Sequence, residues 1–297
     1  MRDATLIPVL LPSGHAALQY LQMQHVMCAK HTAKVRGMTI SDYRLIQISD
    51  IHLTESGALF AGVRPRDNLV AGLAYLADLG VQPDAIVLTG DLADAGAASC
   101  YEDLAGIVRS ATAAADAEVI FVPGNHDRRA DFRRILLGQE PSSEPVNQVH
   151  WVRGLRIVSL DSVVPDREFG YLSDETLSFL RDAVRRPAPD GTVVALHHPP
   201  IASPIAPMAA IMLQNPEELA EAIAGSDVRL IVCGHNHHEG SGVMSRVPVW
   251  AAPSIAYRSN ILNPIAYEPL IGSALSLITV SSSGVTVGVA PVPLGAP

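Results

Sequence analysis

Five short stretches of this chain place carboxylates, imidazoles and one amide where a metal ion could use them. They are Asp50-Ile51-His52, Gly90-Asp91-Leu92-Ala93-Asp94, Gly124-Asn125-His126-Asp127, His197-His198 and Gly234-His235-Asn236-His237. Each follows an apolar run that reads as a strand. In extended backbone, residues two apart share a face, so Asp50 and His52 can hold one ion together, and His235 and His237 can face one site. Asp91 follows a glycine that permits a sharp turn. Its two oxygens can bridge two ions, with a helix N-cap as the competing role.

The stretch at 124–127 is more specific. Asn125 offers a neutral carbonyl oxygen, a weak ligand used where geometry is preset. That leaves His126 free to meet substrate, with Asp127 expected to hydrogen-bond its imidazole and favour the protonated form. Asp94 reads as a supporting partner or cap. Consecutive strand residues point opposite ways, so only one of His197 and His198 is expected in the site. His238 reads as a bystander.

Carboxylate, amide and imidazole donors without thiolates suit iron, manganese or zinc. Two such ions about 3.5–4 Å apart can hold a bridging hydroxide and clamp a phosphate.

Positioning these groups needs strands that end in one place. Residues 44–48, 85–88, 119–122, 156–160, 192–196 and 229–232 are apolar runs expected as strands. Between them, 66–80 carries Leu69, Val70, Leu73, Leu76 and Ala77 at helical spacing, 98–115 is an alanine-rich helix, and 130–138 a short one. Ser173 caps a helix to about 186, and 216–224 is another helix. After 240 strand follows strand, at 247–251, 274–280 and 285–289. Alternating strands and helices imply right-handed crossovers, and the β-rich end implies a second sheet. The expected fold is α/β: two sheets packed face to face with helices outside, the site lying past the strand carboxyl ends.

The 297 residues suit one large domain, expected over 41–297 after an N-terminal extension, 1–40. The extension shows no clean helical or strand period, although 15–28 could form a short helix. Met38 precedes the first patterned strand, so residues 1–37 read as an extension, a start-site artefact or an arm for oligomer contacts. The formal charge of 21 − 30 = −9 argues against a broad basic footprint for a nucleic acid polymer and against anionic membranes. No apolar stretch is long enough to span a bilayer, and residues 6–11 make a poor signal peptide. Three widely spaced cysteines, Cys28, Cys100 and Cys233, suggest reduced buried thiols in a cytoplasmic protein. Cys233 reads as strand packing, not a nucleophile.

The five motifs together resemble the pattern DxH, GDxxD or GDxxY, GNHD/E, H and GHxH of the calcineurin-like metallophosphoesterases, over roughly residues 43–255. Gly90–Gly96, Gly124–Arg128 and Leu196–Ile201 resemble the class III cyclic-nucleotide phosphodiesterases, which include mycobacterial and enterobacterial cyclic AMP phosphodiesterases. The resemblance implies a four-layer αββα sandwich of two mixed sheets flanked by helices. It selects His197 over His198. It implies one ion on Asp50, His52, Asp91 and His237, and a second on Asp91, Asn125, His197 and His235. Iron and manganese are the expected pair, with two manganese ions or zinc as alternatives.

That resemblance further implies hydrolysis of 3′,5′-cyclic AMP, 2′,3′-cyclic nucleotides or other small phosphodiesters, with His126 and Asp127 as catalytic residues, in a homodimer. A glycerophosphodiesterase, a phosphomonoesterase and a non-catalytic scaffold of the same fold are the alternatives. The chain departs from the pattern in its N-terminal extension and in ending soon after its last strand. Position 94 is Asp where purple acid phosphatases carry a tyrosine ligand, so no tyrosinate-to-iron colour is expected. Residues 203–215, with Pro207, Met208 and Met212, could wall the site or pack as ordinary core. Tyr257, Arg258 and Tyr267 could line the pocket or join a dimer interface.

Overall fold

Runs such as Ala85-Ile86-Val87-Leu88 form strands because both of their faces are buried, which rewards unbroken aliphatic sequence. A computed structural model describes residues 42–113 and 116–293. The N-terminal extension, the helix expected over 15–28 and Cys28 lie outside the described residues.

Strands β1 (Tyr43–Ile48), β2 (Ala85–Thr89) and β3 (Glu118–Val122) lie parallel. Helices α1 (Pro65–Asp78) and α2 (Ala98–Thr112) connect them. Further on come β4 (Gln148–Val152), β5 (Leu155–Ser159), α3 (Asp174–Val184), β6 (Thr192–Ala195), α4 (Pro216–Ala222), β7 (Val228–Cys233), β8 (Gly240–Met244) and β9 (Val247–Ala251). The chain closes with a short pair, β10 (Arg258–Ser259) and β11 (Pro269–Leu270), and a long hairpin, β12 (Ala274–Ser281) and β13 (Gly284–Pro291).

One sheet has the order β13-β12-β1-β2-β3, the other β4-β5-β6-β7-β9-β8. Both are mixed. In the first, β12 and β13 run antiparallel beside the parallel strands; in the second, β4 and β8 are the antiparallel edges. Alternate residues divide the core. Leu45, Val87 and Ile120 of one sheet meet Ile157, Val193 and Val232 of the other in the central layer. The intervening residues face the helices: Ile46, Ile86 and Leu88 pack on α1 and α2, and Val158, Val194 and Ile231 on α3 and α4. This is the four-layer αββα sandwich. The helix expected over 130–138 is two short irregular turns, Arg129–Asp131 and Phe132–Leu137. Ser173 caps α3, its hydroxyl accepting the amide of Thr176 at 3.2 Å.

The parallel strands of each sheet bring their carboxyl ends together. Past those ends the loops keep pairing: Asp50 N donates to Gly90 O at 3.1 Å, His52 N to Asp91 O at 2.8 Å, and Gly234 N to His197 O at 2.9 Å. The amide of Ile255, past β9, donates to Ser49 O at 3.0 Å, tying one sheet to the other beside the same loops. Among the described residues no helix is long and apolar enough to cross a membrane.

Candidate metal centre

The loops after β1, β2, β3, β6 and β7 converge. Asp50, His52 and His237 offer ligand atoms within 4.8 Å of one another, and so do Asp50, Asp91 and His197. The Nε2 atoms of His52 and His237 face each other at 3.1 Å, and His237 Nε2 is 3.5 Å from Asp50 Oδ1. In a second lobe, His197 Nε2 lies 3.2 Å from His235 Nδ1 and 3.2 Å from Asn125 Oδ1. Asp91 joins the lobes: its Oδ2 is 3.3 Å from His197 Nε2 and 3.7 Å from His52 Nε2.

Three of the inward-pointing nitrogens, those of His52, His197 and His237, are aimed because the opposite ring nitrogen is occupied. His52 Nδ1 donates to Asp94 Oδ1 at 3.0 Å, His197 Nδ1 to Thr89 O at 2.8 Å and His237 Nδ1 to Tyr257 O at 3.1 Å. Metal-binding histidines are oriented in this way. Burial is nearly complete, and it sets the charges. It lowers His235 to about 3 and His237 well below its ordinary value, so both are neutral, the form that binds a metal. Burial raises Asp50 to about 6, with His197 opposing. Burial would also lower His197 and His52, but the carboxylates win: Asp91 raises His197 to about 9, and Asp94 and Asp91 raise His52. Burial opposes the charge of Asp91, yet His197 and His52 hold it well below the usual carboxylate range. Inward-facing imidazole nitrogens 3.1–3.2 Å apart, among carboxylates and out of water, make a donor set that could hold metal ions.

The backbone is bent to make it. Asp50, His52, Asp91, His235 and His237 all have positive φ, between 50° and 69°. Non-glycine residues held there cost of order 1–3 kcal/mol each, and such strain clusters at functional sites. The approach of one loop to another is equally tight. A Cβ on Gly90 would overlap the ring of His197, and one on Gly234 would overlap Ser49 Oγ beside Asp50.

Residues 43–239 match the calcineurin-like phosphoesterase family. The chain belongs to the calcineurin-like phosphoesterases. It is 40% identical over 218 residues to a Rhodococcus erythropolis protein named a probable cyclic nucleotide phosphodiesterase, covering 73% of this chain and 72% of the relative. It is 39% identical over 221 residues to the cAMP/cGMP dual specificity phosphodiesterase of Mycobacterium tuberculosis, covering 74% of this chain and 70% of the relative. Among solved structures, a dimetal phosphatase from Danio rerio shares the fold, with a TM-score of 0.57 and 13% identity over 84% of this chain and 99% of that one.

In this phosphoesterase Asp127 does not hold His126, contrary to the expectation from their adjacency. The turn at Gly124–Asp127 aims the carboxylate away from the imidazole and onto the backbone. It accepts the amides of Gly124 at 2.8 Å, Leu92 at 3.2 Å and Ala93 at 3.1 Å, and the hydroxyl of Tyr101 at 3.0 Å. Asp127 therefore pins the Asp91 loop to the Asn125 loop. The partner of His126 is Asp94, whose backbone carbonyl accepts from Nδ1 at 2.6 Å. Nε2 is thus the free nitrogen of a half-exposed ring. His198 turns the other way from His197: Nδ1 meets Ser162 Oγ at 2.8 Å, and Nε2 donates to Glu168 O at 3.1 Å.

A cavity of about 380 Å³ opens over the centre, lined by His52, Asp91, Asn125, His126, His235 and His237. Pro207, Met208 and Ile211 of the 203–215 segment form part of its wall, as do Tyr257 and Tyr267. Arg258 pairs with Glu239 instead. Glu168 also lines the cavity, and sequence reasoning missed it because its loop carries no motif. Tyr101 was equally silent, reading only as part of an apolar helix face. Cys233 is buried in β7, its thiol pushed well up by burial.

Proposed function

We propose that the enzyme is a binuclear metal-dependent phosphodiesterase acting on cyclic nucleotides and other small phosphodiesters. One observation carries this reading: a single oxygen of Asp91 lies within reach of both lobes of the site. Asp50, His52, Asp91 and His237 would hold one ion, and Asp91, Asn125, His197 and His235 the other. Two ions bound there would supply an activated water and neutralise phosphate oxygens.

The protein's own part is orientation and proton transfer. Asp91 and Asn125 fix the phosphate-binding face, and Asp127 keeps their two loops in register. With Nδ1 fastened to the Asp94 carbonyl, His126 presents Nε2 to a phosphate oxygen or to the leaving alkoxide. Protonated, it gives its proton to that alkoxide, a contribution of about 10²–10⁴-fold. The substrate class rests on the cyclic nucleotide phosphodiesterases found among the relatives and on a cavity of nucleotide scale.

Iron with manganese is the proposed pair, with two manganese ions or zinc also compatible with the donor set. The exposed side chains of Leu262, Ile265 and Ile271 support a homodimer. Cys100 and Cys233 are both free and buried, in keeping with a cytoplasmic location. Light scattering and cell fractionation test these two readings.

Activity is tested with purified, Mn²⁺-loaded protein on 3′,5′-cyclic AMP, 2′,3′-cyclic AMP, bis(p-nitrophenyl) phosphate and p-nitrophenyl phosphate. Diester turnover exceeding monoester turnover, and lost in Asn125→Ala, is the expected result. Monoester preference would make it a phosphatase, and no turnover of any of the four would contradict the reading.

A further inference from the structure

The wall of the cavity over the metal centre has two unlike parts. Tyr257 and Tyr267 make one. The Tyr257 ring lies 4.3 Å from the ring of His237 and 5.9 Å from that of His52, and Phe60 backs it edge-on at 4.8 Å. Its backbone is fixed to the centre: Tyr257 O accepts from His237 Nδ1, and Tyr257 N donates to Ser254 Oγ at 3.2 Å, which in turn donates to Asp50 O at 2.9 Å. Both phenols are uncharged at neutral pH, as tyrosine ordinarily is.

Pro207, Met208 and Ile211 make the other, aliphatic part. Met208 packs on Ile205 and Met212 beneath it. The two parts are linked, because Ala206 N donates to Pro264 O at 2.8 Å, in the loop that leads to Tyr267. No Lys or Arg is among the residues lining the cavity. Beside the candidate metal ligands and the single carboxylate of Glu168, the lining offers aromatic rings and aliphatic side chains.

We propose that this lining receives a flat aromatic or heteroaromatic group of the ester, stacked on Tyr257 and Tyr267, and so selects diesters that carry such a group over aliphatic ones. This rests on the phosphodiesterase reading above and adds how the non-reacting part of the substrate is held. Base–aromatic stacking uses the ring face, which every base has.

The test compares kcat/KM of the Mn²⁺-loaded enzyme for 3′,5′-cyclic AMP, bis(p-nitrophenyl) phosphate and the aliphatic diester glycerophosphoethanolamine, with bound metal measured for each variant. Tyr257→Leu and Tyr267→Leu should each lower the aromatic-to-aliphatic ratio about tenfold or more, chiefly through KM. Tyr257→Phe, which keeps the ring, should hold that ratio near the wild-type value. An unchanged ratio in both leucine variants overturns the proposal. Should Tyr257→Leu lose metal, the half-exposed Tyr267 decides. Wild-type enzyme that turns over none of the three diesters overturns the phosphodiesterase reading itself.

Discussion

The carboxylate of Asp94 grips His52 by Nδ1 at 3.0 Å and so turns Nε2 of that ring toward Asp91 and His237. The same residue receives His126 on its backbone carbonyl. One side chain outside the proposed ligand set therefore orients a proposed ligand, while its main chain orients the proposed proton donor.

Asp94→Ala should weaken metal binding by about 10–100-fold, the usual cost of losing such a partner. Asp94 is partly exposed, so the fold should persist. Metal titration with circular dichroism checks both, and unchanged affinity would mean that His52 needs no orienting.

Asp127→Ala should act on stability. It leaves three buried amides and the Tyr101 hydroxyl without their acceptor, and each unsatisfied buried group costs about 1–3 kcal/mol. A loss of at least about 2 kcal/mol in denaturant unfolding is expected. Tyr101→Phe should cost less, about 1 kcal/mol. An Asp127→Asn variant with intact stability but a shifted pH–rate profile would restore the discarded pairing with His126.

Metal loading should depend on pH through His197. In the metal-free protein burial opposes its charge, but Asp91 outweighs burial and raises it from 6.5 to about 9. Because the folded value is above the unfolded one, the proton on His197 stabilises the metal-free fold fully below about pH 6.5. That stability is lost as pH rises through about 9. A metal must displace the proton. Affinity should therefore climb across this window, about tenfold per pH unit for one proton. Calorimetry in buffers of different ionisation enthalpy measures the released proton, and flat affinity from pH 6.5 to 9 would contradict the ion pair.

Gly234→Ala and Gly90→Ala should each reduce metal content and thermal stability together. The new methyl meets Ser49 in the first and the ring of His197 in the second, and at Gly90 the backbone is also left-handed, with φ of 90°. Metal analysis beside thermal melts checks this. Full metal occupancy in either variant would mean that the loops can part without disturbing the site.

The parts of the fold that were legible in sequence were those with unbroken apolar runs, β2 and β7 above all. β4 was missed because Gln148-Val149-His150-Trp151-Val152 sits at a sheet edge with polar and exposed positions, and β8 because Gly240-Ser241-Gly242 looks like a turn. The motifs placed the ligand candidates, since residue type and strand-end position follow from local sequence. The role of Asp127 was not legible, because it depends on the direction of one turn and on Tyr101, which comes from a different helix. Nor was the strain: glycine announces a left-handed backbone, whereas Asp50, His52, Asp91, His235 and His237 adopt it with full side chains.

The central claim is one centre of two ions joined by Asp91, hydrolysing diesters. Its most direct test is metal stoichiometry by mass spectrometry, measured beside bis(p-nitrophenyl) phosphate turnover, for wild type, Asn125→Ala and Asp91→Asn. Two ions per chain are predicted for wild type, loss from one lobe in Asn125→Ala, and loss from both, with turnover abolished, in Asp91→Asn. A single ion in wild type, or an Asp91→Asn variant that keeps both its metals and its turnover, would contradict the account.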